Sequence, residues 1–344
     1  MFDTVKIGVP LMLTEQEVGN IEWTRTNSSY DKSRNQTTPT IFKVLQEKEH
    51  DSFPFIRYTY KSDDPTQCWL KIEVSIPNFI CGSNVYEVKE SDLENFYKVL
   101  RKYIAVRLKL DLSRVPKISQ CILEKVHVCK NFNVGLLKDE YLKAMASFTM
   151  AKYQQHLYCS IGSNNIESVE WKSKKRKEKI YDKEAEVKQK KDYPGKPDHL
   201  KRAKGLIRYE IELTDKEIRQ ISPARKVGEV LREGIANQIL QKGLERNGLS
   251  DGIKYSSLHQ VINKIYRENL PLRTKTSLIA FVTIWLVNGE DECRNKYTPS
   301  NYWKIKKEIK EILGVDELLI GEKVLPPLNV LEKQKKTATV LGKQ

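Results

Sequence analysis

The sequence predicts an α+β fold, in which a mainly antiparallel sheet domain precedes an all-α C-terminal domain. Two observations predict it. Apolar and polar residues alternate with a two-residue period in several segments before about Thr214, and helical periodicity replaces that alternation afterwards. A composition of 39% hydrophobic and 31% charged residues supports a globular core and excludes a wholly disordered chain.

The first strand is predicted at residues 3–11, where Val5, Ile7 and Val9 alternate with polar or small residues. Further runs rich in Val, Ile and Tyr predict strands at residues 55–60, 68–76, 122–132, 157–161, 167–171, 179–181 and 205–213. Helices are predicted between them at residues 91–108 and 138–152. An antiparallel sheet with helices packed on it is expected.

The C-terminal region contains five segments with helical spacing, at residues 214–220, 227–242, 256–269, 274–288 and 300–313. The predicted domains are therefore an α+β domain at 1–220, a helical domain at 221–330 and a flexible tail at 331–344.

Neither a signal peptide nor a membrane helix is predicted, because the longest apolar run, at residues 278–287, covers about half of a bilayer. Six cysteines without metal-ligand spacing indicate free thiols in a reducing compartment. We expect a cytoplasmic protein that does not bind membranes.

The net charge of +15 is concentrated at residues 171–204, where fourteen Lys and Arg stand against six Asp and Glu, a surplus of eight. Such a run is typical either of a solvated hairpin or of a strip that binds phosphates. The candidate phosphate-binding residues are Lys125, Lys174, Lys175, Arg176, Lys177, Lys179, Lys183 and Arg208.

Tyr181 lies within this basic run at the end of a predicted strand, and Lys179 and Lys183 flank it. Cations beside a phenol would stabilise the phenolate and bind a neighbouring phosphate, which a tyrosine nucleophile requires. The alternative is a half-buried amphipathic tyrosine with no catalytic role.

Glu210 and Glu212 project from one face of a strand, and Glu73 and His127 on other strands could complete a site. Oxygen ligands suit Mg²⁺ or Mn²⁺. A polar outer face on the strand, with His127 a satisfied core histidine, is the alternative.

The order of these features resembles the phage and plasmid replication-initiation proteins that nick DNA to begin rolling-circle replication. This group includes the filamentous-phage initiator and is similar to initiators of small Gram-positive plasmids. The resemblance covers most of the first 215 residues, and the segment at residues 297–303 resembles the family's C-terminal region. Five segments carry it, at residues 3–7, 72–84, 125–132, 179–183 and 205–210.

The resemblance implies that Tyr181 is the attacking nucleophile and that Glu210 belongs to a metal or phosphate site. The chain departs from the family where Lys125-Val126-His127 replaces the usual Arg-hydrophobic-Asp, and histidine binds Mn²⁺ better than Mg²⁺. The two-histidine motif of the other well-known nickase class is absent.

The expected function is a metal-dependent nickase and strand transferase that leaves a 5′-phosphotyrosyl link and a 3′-OH primer. The implied partners are double-stranded origin DNA, single-stranded DNA, and a host helicase and polymerase, and a homodimer is allowed. The competing hypothesis is a non-catalytic DNA-binding regulator. An RNA-binding module is disfavoured because the signatures of its common folds are absent.

Overall fold

The computed structural model describes residues 1–29, 39–46, 52–62, 68–150, 152–160, 162, 165–315, 317–320 and 323–331. Within these ranges the strands form one ten-stranded antiparallel sheet, followed by a helical region, so the predicted α+β fold is confirmed. The strand order is β2-β3-β4-β5-β1-β6-β10-β9-β8-β7. Its members are β1 (Phe2–Val9), β2 (Arg25–Ser29), β3 (Thr40–Leu45), β4 (Phe55–Lys61), β5 (Cys68–Ser75), β6 (Ile122–Asn133), β7 (Gln154–Cys159), β8 (Ile166–Lys172), β9 (Arg176–Asp182) and β10 (Leu206–Thr214).

The strands follow the predicted alternation, with differences at their ends. β1 ends at Val9 because Pro10 has no N–H to donate to a neighbouring strand. β7 begins three residues earlier than predicted, and residue 161 lies outside the described residues. β2 and β3 were not predicted: the five residues of β2 are all exposed and include no apolar side chain, and β3 has only six residues, too few to establish a period.

The helices are α1 (Glu15–Asn20), α2 (Ile76–Cys81), α3 (Glu90–Arg107), α4 (Lys138–Ala146), α5 (Lys183–Gln189), α6 (Lys196–Ala203), α7 (Asp215–Ile221), α8 (Val227–Val230), α9 (Glu233–Arg246), α10 (Leu258–Arg267), α11 (Leu272–Asn288), α12 (Glu290–Lys296) and α13 (Pro299–Leu313). The helix predicted at residues 227–242 is two helices, α8 and α9. The helix predicted at 138–152 ends at Ala146. The short helices α1, α2, α5, α6 and α12 were not predicted, because one or two turns carry too little periodicity.

In the part of the chain that is described, no helix is both long and apolar enough to cross a membrane.

The chain divides into two compact units that alternate along the sequence. The first unit contains Met1–Cys129, Lys174–Lys177 and Glu210–Ala236. β1 lies between β5 and β6, and its side chains Val5 and Ile7 are completely buried. Burial of such aliphatic side chains contributes about 2 kcal/mol each to folding.

The second unit contains Lys130–Ser173, Glu178–Tyr209 and Asn237–Gln344. In it α4 packs on β8, where Trp171 is fully buried and donates its indole N–H to the carbonyl of Phe148. Helices α10, α11, α12 and α13 bury a separate apolar cluster that includes Phe281 and Ile309. The predicted domain boundaries stay predictions, and apart from Leu331 the predicted tail lies outside the described residues.

Candidate active site

Tyr181 stands at the junction of β9 and α5, one residue before the strand ends. The chain turns there because the carboxylate of Asp182 caps α5, accepting hydrogen bonds from the amides of Glu184 at 2.8 Å and Ala185 at 3.1 Å. The Tyr181 side chain is 6% exposed. A short capped helix therefore fixes the backbone that follows the tyrosine.

Two lysines lie against the Tyr181 ring. The Nζ atoms of Lys179 and Lys183 are 4.6 and 5.6 Å from the ring centroid. Lys183 is fully buried and pairs with the carboxylate of Glu186 at 2.6 Å, and Lys190 binds the same carboxylate at 3.0 Å. Burial would raise the pKa of Glu186, but these two lysines lower it to about 2. The tyrosine ring thus contacts two cations, one of them held by a buried ion pair.

Lys138, on α4, is a further cation that the sequence did not reveal. Its ammonium group lies 2.5 Å from Asp182 and 3.5 Å from Glu184. Burial alone would lower the pKa of Lys138, but these carboxylates raise it above its ordinary value. Nothing in the sequence near position 138 distinguishes this lysine, because the contact joins residues more than forty positions apart.

A buried polar network fixes the middle of β9. Glu178, fully buried, accepts a hydrogen bond of 2.5 Å from the hydroxyl of Tyr209 and forms an ion pair with Arg246 of α9. The side-chain amide of Asn247 also donates to the Tyr209 hydroxyl, at 3.1 Å. The strand that bears Tyr181 is therefore tied to α9 by side chains that sequence reasoning missed.

Three of the predicted metal ligands come together in the first unit. Nδ1 of His127 is 2.7 Å from Glu210, and Nε2 is 3.1 Å from Glu212 without a well-directed hydrogen bond. Burial alone would lower the pKa of His127, but the two carboxylates raise it to about 9. The neighbouring His127 ring lowers the pKa of Glu212, and Lys125 and Lys177 lower it further. At neutral pH the imidazolium therefore stands between two carboxylates.

Glu73, the fourth predicted ligand, is bound by Lys125, whose ammonium group lies 2.7 Å from it. In the described residues no group of three or more His, Cys, Asp or Glu side chains is arranged to hold a metal ion. Carboxylates and imidazole are suitable donors for Mn²⁺. In this arrangement the His127 ring lies between Glu210 and Glu212, so these two carboxylates are the donors that an ion could use if the ring moved aside.

The remaining predicted phosphate-binding residues differ in exposure. Lys174 and Lys175 are exposed between β8 and β9, and Lys177 is partly exposed. Arg176 pairs with Glu217 at 2.6 Å. Arg208 is fully buried, and its Nε donates to the side-chain oxygen of Asn131 at 2.7 Å. The exposed members of this set are the ones that a DNA backbone could reach directly.

A known family model matches most of the chain. The model of the Phage_CRI family, described as the N-terminal region of a replication-associated protein, matches residues 1–234. No curated protein and no solved structure matches the chain.

Proposed function

The chain belongs to the Phage_CRI family of phage replication-associated proteins, and from this premise we propose that it nicks one strand of a replication origin through Tyr181. The single observation that carries the proposal is the position of Tyr181, at a strand end with the ammonium groups of Lys179 and Lys183 beside its ring. Double-stranded origin DNA and single-stranded DNA would be its partners.

In the proposed reaction the phenolic oxygen of Tyr181 attacks the scissile phosphorus. The oxygen–phosphorus bond to tyrosine forms as the bond to the 3′-oxygen breaks, and the phenol's proton is balanced by the proton that the departing 3′-oxygen gains. The products are a 5′-phosphotyrosyl link and a 3′-OH that a polymerase can extend. Lys179 would stabilise negative charge on the phenolate and the phosphate.

A divalent ion remains part of the proposal as an expectation from the resemblance. When bound, Mg²⁺ or Mn²⁺ would supply Lewis-acid stabilisation of phosphoryl charge. Glu210 and Glu212 are the residues that would hold it, provided that the His127 ring leaves the space between them. Adduct formation in EDTA, compared with added Mg²⁺ or Mn²⁺, tests this requirement separately from the tyrosine.

The experiment for the nucleophile uses supercoiled DNA carrying the cognate origin and detects nicked circles with covalently attached protein. Tyr181→Phe keeps the ring and its contacts with the lysines, so we expect an intact fold, normal origin binding and no adduct. Tyr158→Phe is the matched control, because Tyr158 is 51% exposed in the same unit. An adduct that persists in Tyr181→Phe would remove Tyr181 from this role.

One observation favours a second candidate, a non-catalytic DNA-binding regulator. Tyr181 is only 6% exposed, which is also typical of an amphipathic core tyrosine. Origin binding with no cleavage, in any divalent metal, would support this function over nicking.

A further inference from the structure

An open pocket of about 390 Å³ in the first unit is lined by more cations than carboxylates. Four basic side chains line it with two acidic ones, and three of the four form ion pairs, Lys71 with Glu124, Lys125 with Glu73 and Arg225 with Asp215, which leaves one positive charge, that of Lys6, without an ion pair among the described residues. The lining residues are Lys6, Lys71, Glu124, Lys125, Thr214, Asp215 and Arg225.

A β-bulge places two consecutive charged residues of β6 in this pocket. Lys6 of β1 lies opposite Lys125, whereas the next residue, Ile7, lies opposite Leu123, so Glu124 is the extra residue in β6. In a regular strand Glu124 and Lys125 would project to opposite faces, but here both line the pocket. Bulges are enriched near functional sites because they redirect side chains in this way.

Among these cations, Lys6 is the one whose charge is not neutralised by an ion pair in the described residues. Lys71 pairs with Glu124 at 2.8 Å and Lys125 with Glu73 at 2.7 Å, whereas Lys6 has no ion-pair partner in the described part of the chain. Like charges directly opposite each other on neighbouring strands are destabilising. On its other side Lys6 lies opposite Glu73, but that carboxylate pairs with Lys125, so the charge of Lys6 is the one that a bound anion would neutralise.

Arg225 reaches the same pocket from a strained backbone. Its φ is 51°, a left-handed value that non-glycine residues adopt at a cost of about 1 kcal/mol. Its carbonyl accepts a hydrogen bond of 2.8 Å from the amide of Leu123, and its guanidinium pairs with Asp215. The loop is thus anchored beside the bulge, with an arginine where a glycine would be less strained.

We propose that this pocket binds a backbone phosphate of single-stranded DNA. The inference rests on the proposed function for the identity of the ligand, and on the charge excess, the facing lysines and the strained arginine for the site. A phosphodiester carries one negative charge and has oxygens that accept hydrogen bonds from several donors. Its charge would be neutralised by Lys6, and the neighbouring Lys71 and Lys125 could donate further hydrogen bonds to its oxygens.

The test measures binding of a fluorescent twelve-residue oligothymidylate by anisotropy at NaCl concentrations from 50 to 200 mM. Lys6→Gln should weaken binding about fivefold at 50 mM and reduce the slope of log K against log [NaCl] by about 0.7, the value of one phosphate contact. Lys98→Gln is the matched control: Lys98 is exposed on α3 in the same unit and outside the pocket, so a near-normal slope is expected.

A Lys6→Gln slope equal to that of Lys98→Gln would overturn the proposal. Thermal unfolding without DNA excludes a folding defect: Lys6 forms no ion pair in the described part of the chain, so Lys6→Gln should leave Tm unchanged, and a lowered Tm would contradict the assignment. Titration with inorganic phosphate separates the two sources of phosphate. Free phosphate that bound as tightly as the oligonucleotide would show an ion site and not a DNA site. Binding of the oligothymidylate does not depend on DNA cleavage. A wrong assignment of Tyr181 as the nucleophile would therefore leave this measurement unchanged and would be detected by the adduct experiment alone.

Discussion

Glu186 is the carboxylate that compensates the buried charge of Lys183 beside the Tyr181 ring. Lys183 and Lys190 hold the pKa of Glu186 at about 2 in the folded protein, below its ordinary value of 4.5. A depressed acid pKa stabilises the fold above pH 4.5, and this contribution is lost as the pH falls through about 2. The shift corresponds to about 3 kcal/mol, which solvent screening at the 27% exposed side chain reduces to about 2.

Glu186→Gln should therefore be less stable than the native protein by about 2 kcal/mol at pH 7. The difference should narrow as the pH is lowered from 4.5 to 2, because native Glu186 then becomes neutral as well. Urea unfolding at several pH values measures this difference in stability. Glu311→Gln, which removes an exposed ion pair with Lys307 within one helix, is the control. A difference that stays constant with pH would mean that the ion pair with Lys183 contributes nothing.

The site residues were predictable where the chemistry is local in sequence. Lys179 and Lys183 lie two residues from Tyr181, and both contact its ring. The complete burial of Lys183 was not predictable, because the strand ends at Asp182 and Lys183 begins a helix. Lys138 was missed for a different reason: only the packing of α4 brings it to Asp182.

At the scale of elements, β9 is held to α9 by the ion pair between Glu178 and Arg246. Because Glu178 is fully buried, removing the partly exposed Arg246 leaves a buried charge uncompensated, which costs more than the pair itself contributes. Arg246→Met should lower the free energy of unfolding by at least about 2 kcal/mol, measured by urea unfolding. Arg232→Met, which breaks an ion pair between two exposed side chains, is the control and should change it by less than about 1 kcal/mol.

If Arg246→Met unfolds like the control, Glu178 must reach solvent or another cation, and the network does not fix the nucleophile's strand.

The alternation in β9 did carry a signal for this network. Glu178 and Ile180 share one side of the strand and both are buried, a pattern that formed no part of the prediction. The partner of Glu178, 68 positions later in a helix, could not be found from periodicity.

The longer elements were predicted because strand and helix periods are clear over seven or more residues, as in β6, β10 and α11. The omissions are short or polar, such as β2 and α12. β2 forms through backbone pairing with β3, and its exposed side chains leave no hydrophobic pattern. The strand order of the sheet could likewise not be predicted from the sequence, because it depends on pairing between strands that are far apart in the chain.

At the scale of the whole molecule, the net charge of +15 should govern DNA affinity. Each phosphate contact releases counterions, so origin binding should weaken steeply between about 50 and 200 mM salt. Filter binding or anisotropy with a duplex origin measures it. An affinity that does not change over this range would exclude a surface that contacts many phosphates, whatever the role of Tyr181.

Peptide mapping tests whether Tyr181 becomes covalently joined to DNA. The protein is incubated with origin DNA, digested with nuclease and trypsin, and examined by mass spectrometry. Cleavage after Lys179 and Lys183 releases the peptide at residues 180–183, in which Tyr181 is the one tyrosine. We expect a nucleotide 5′-phosphate on that peptide. A nucleotide on any other tyrosine, or cleavage of the origin with no modified peptide, would contradict it.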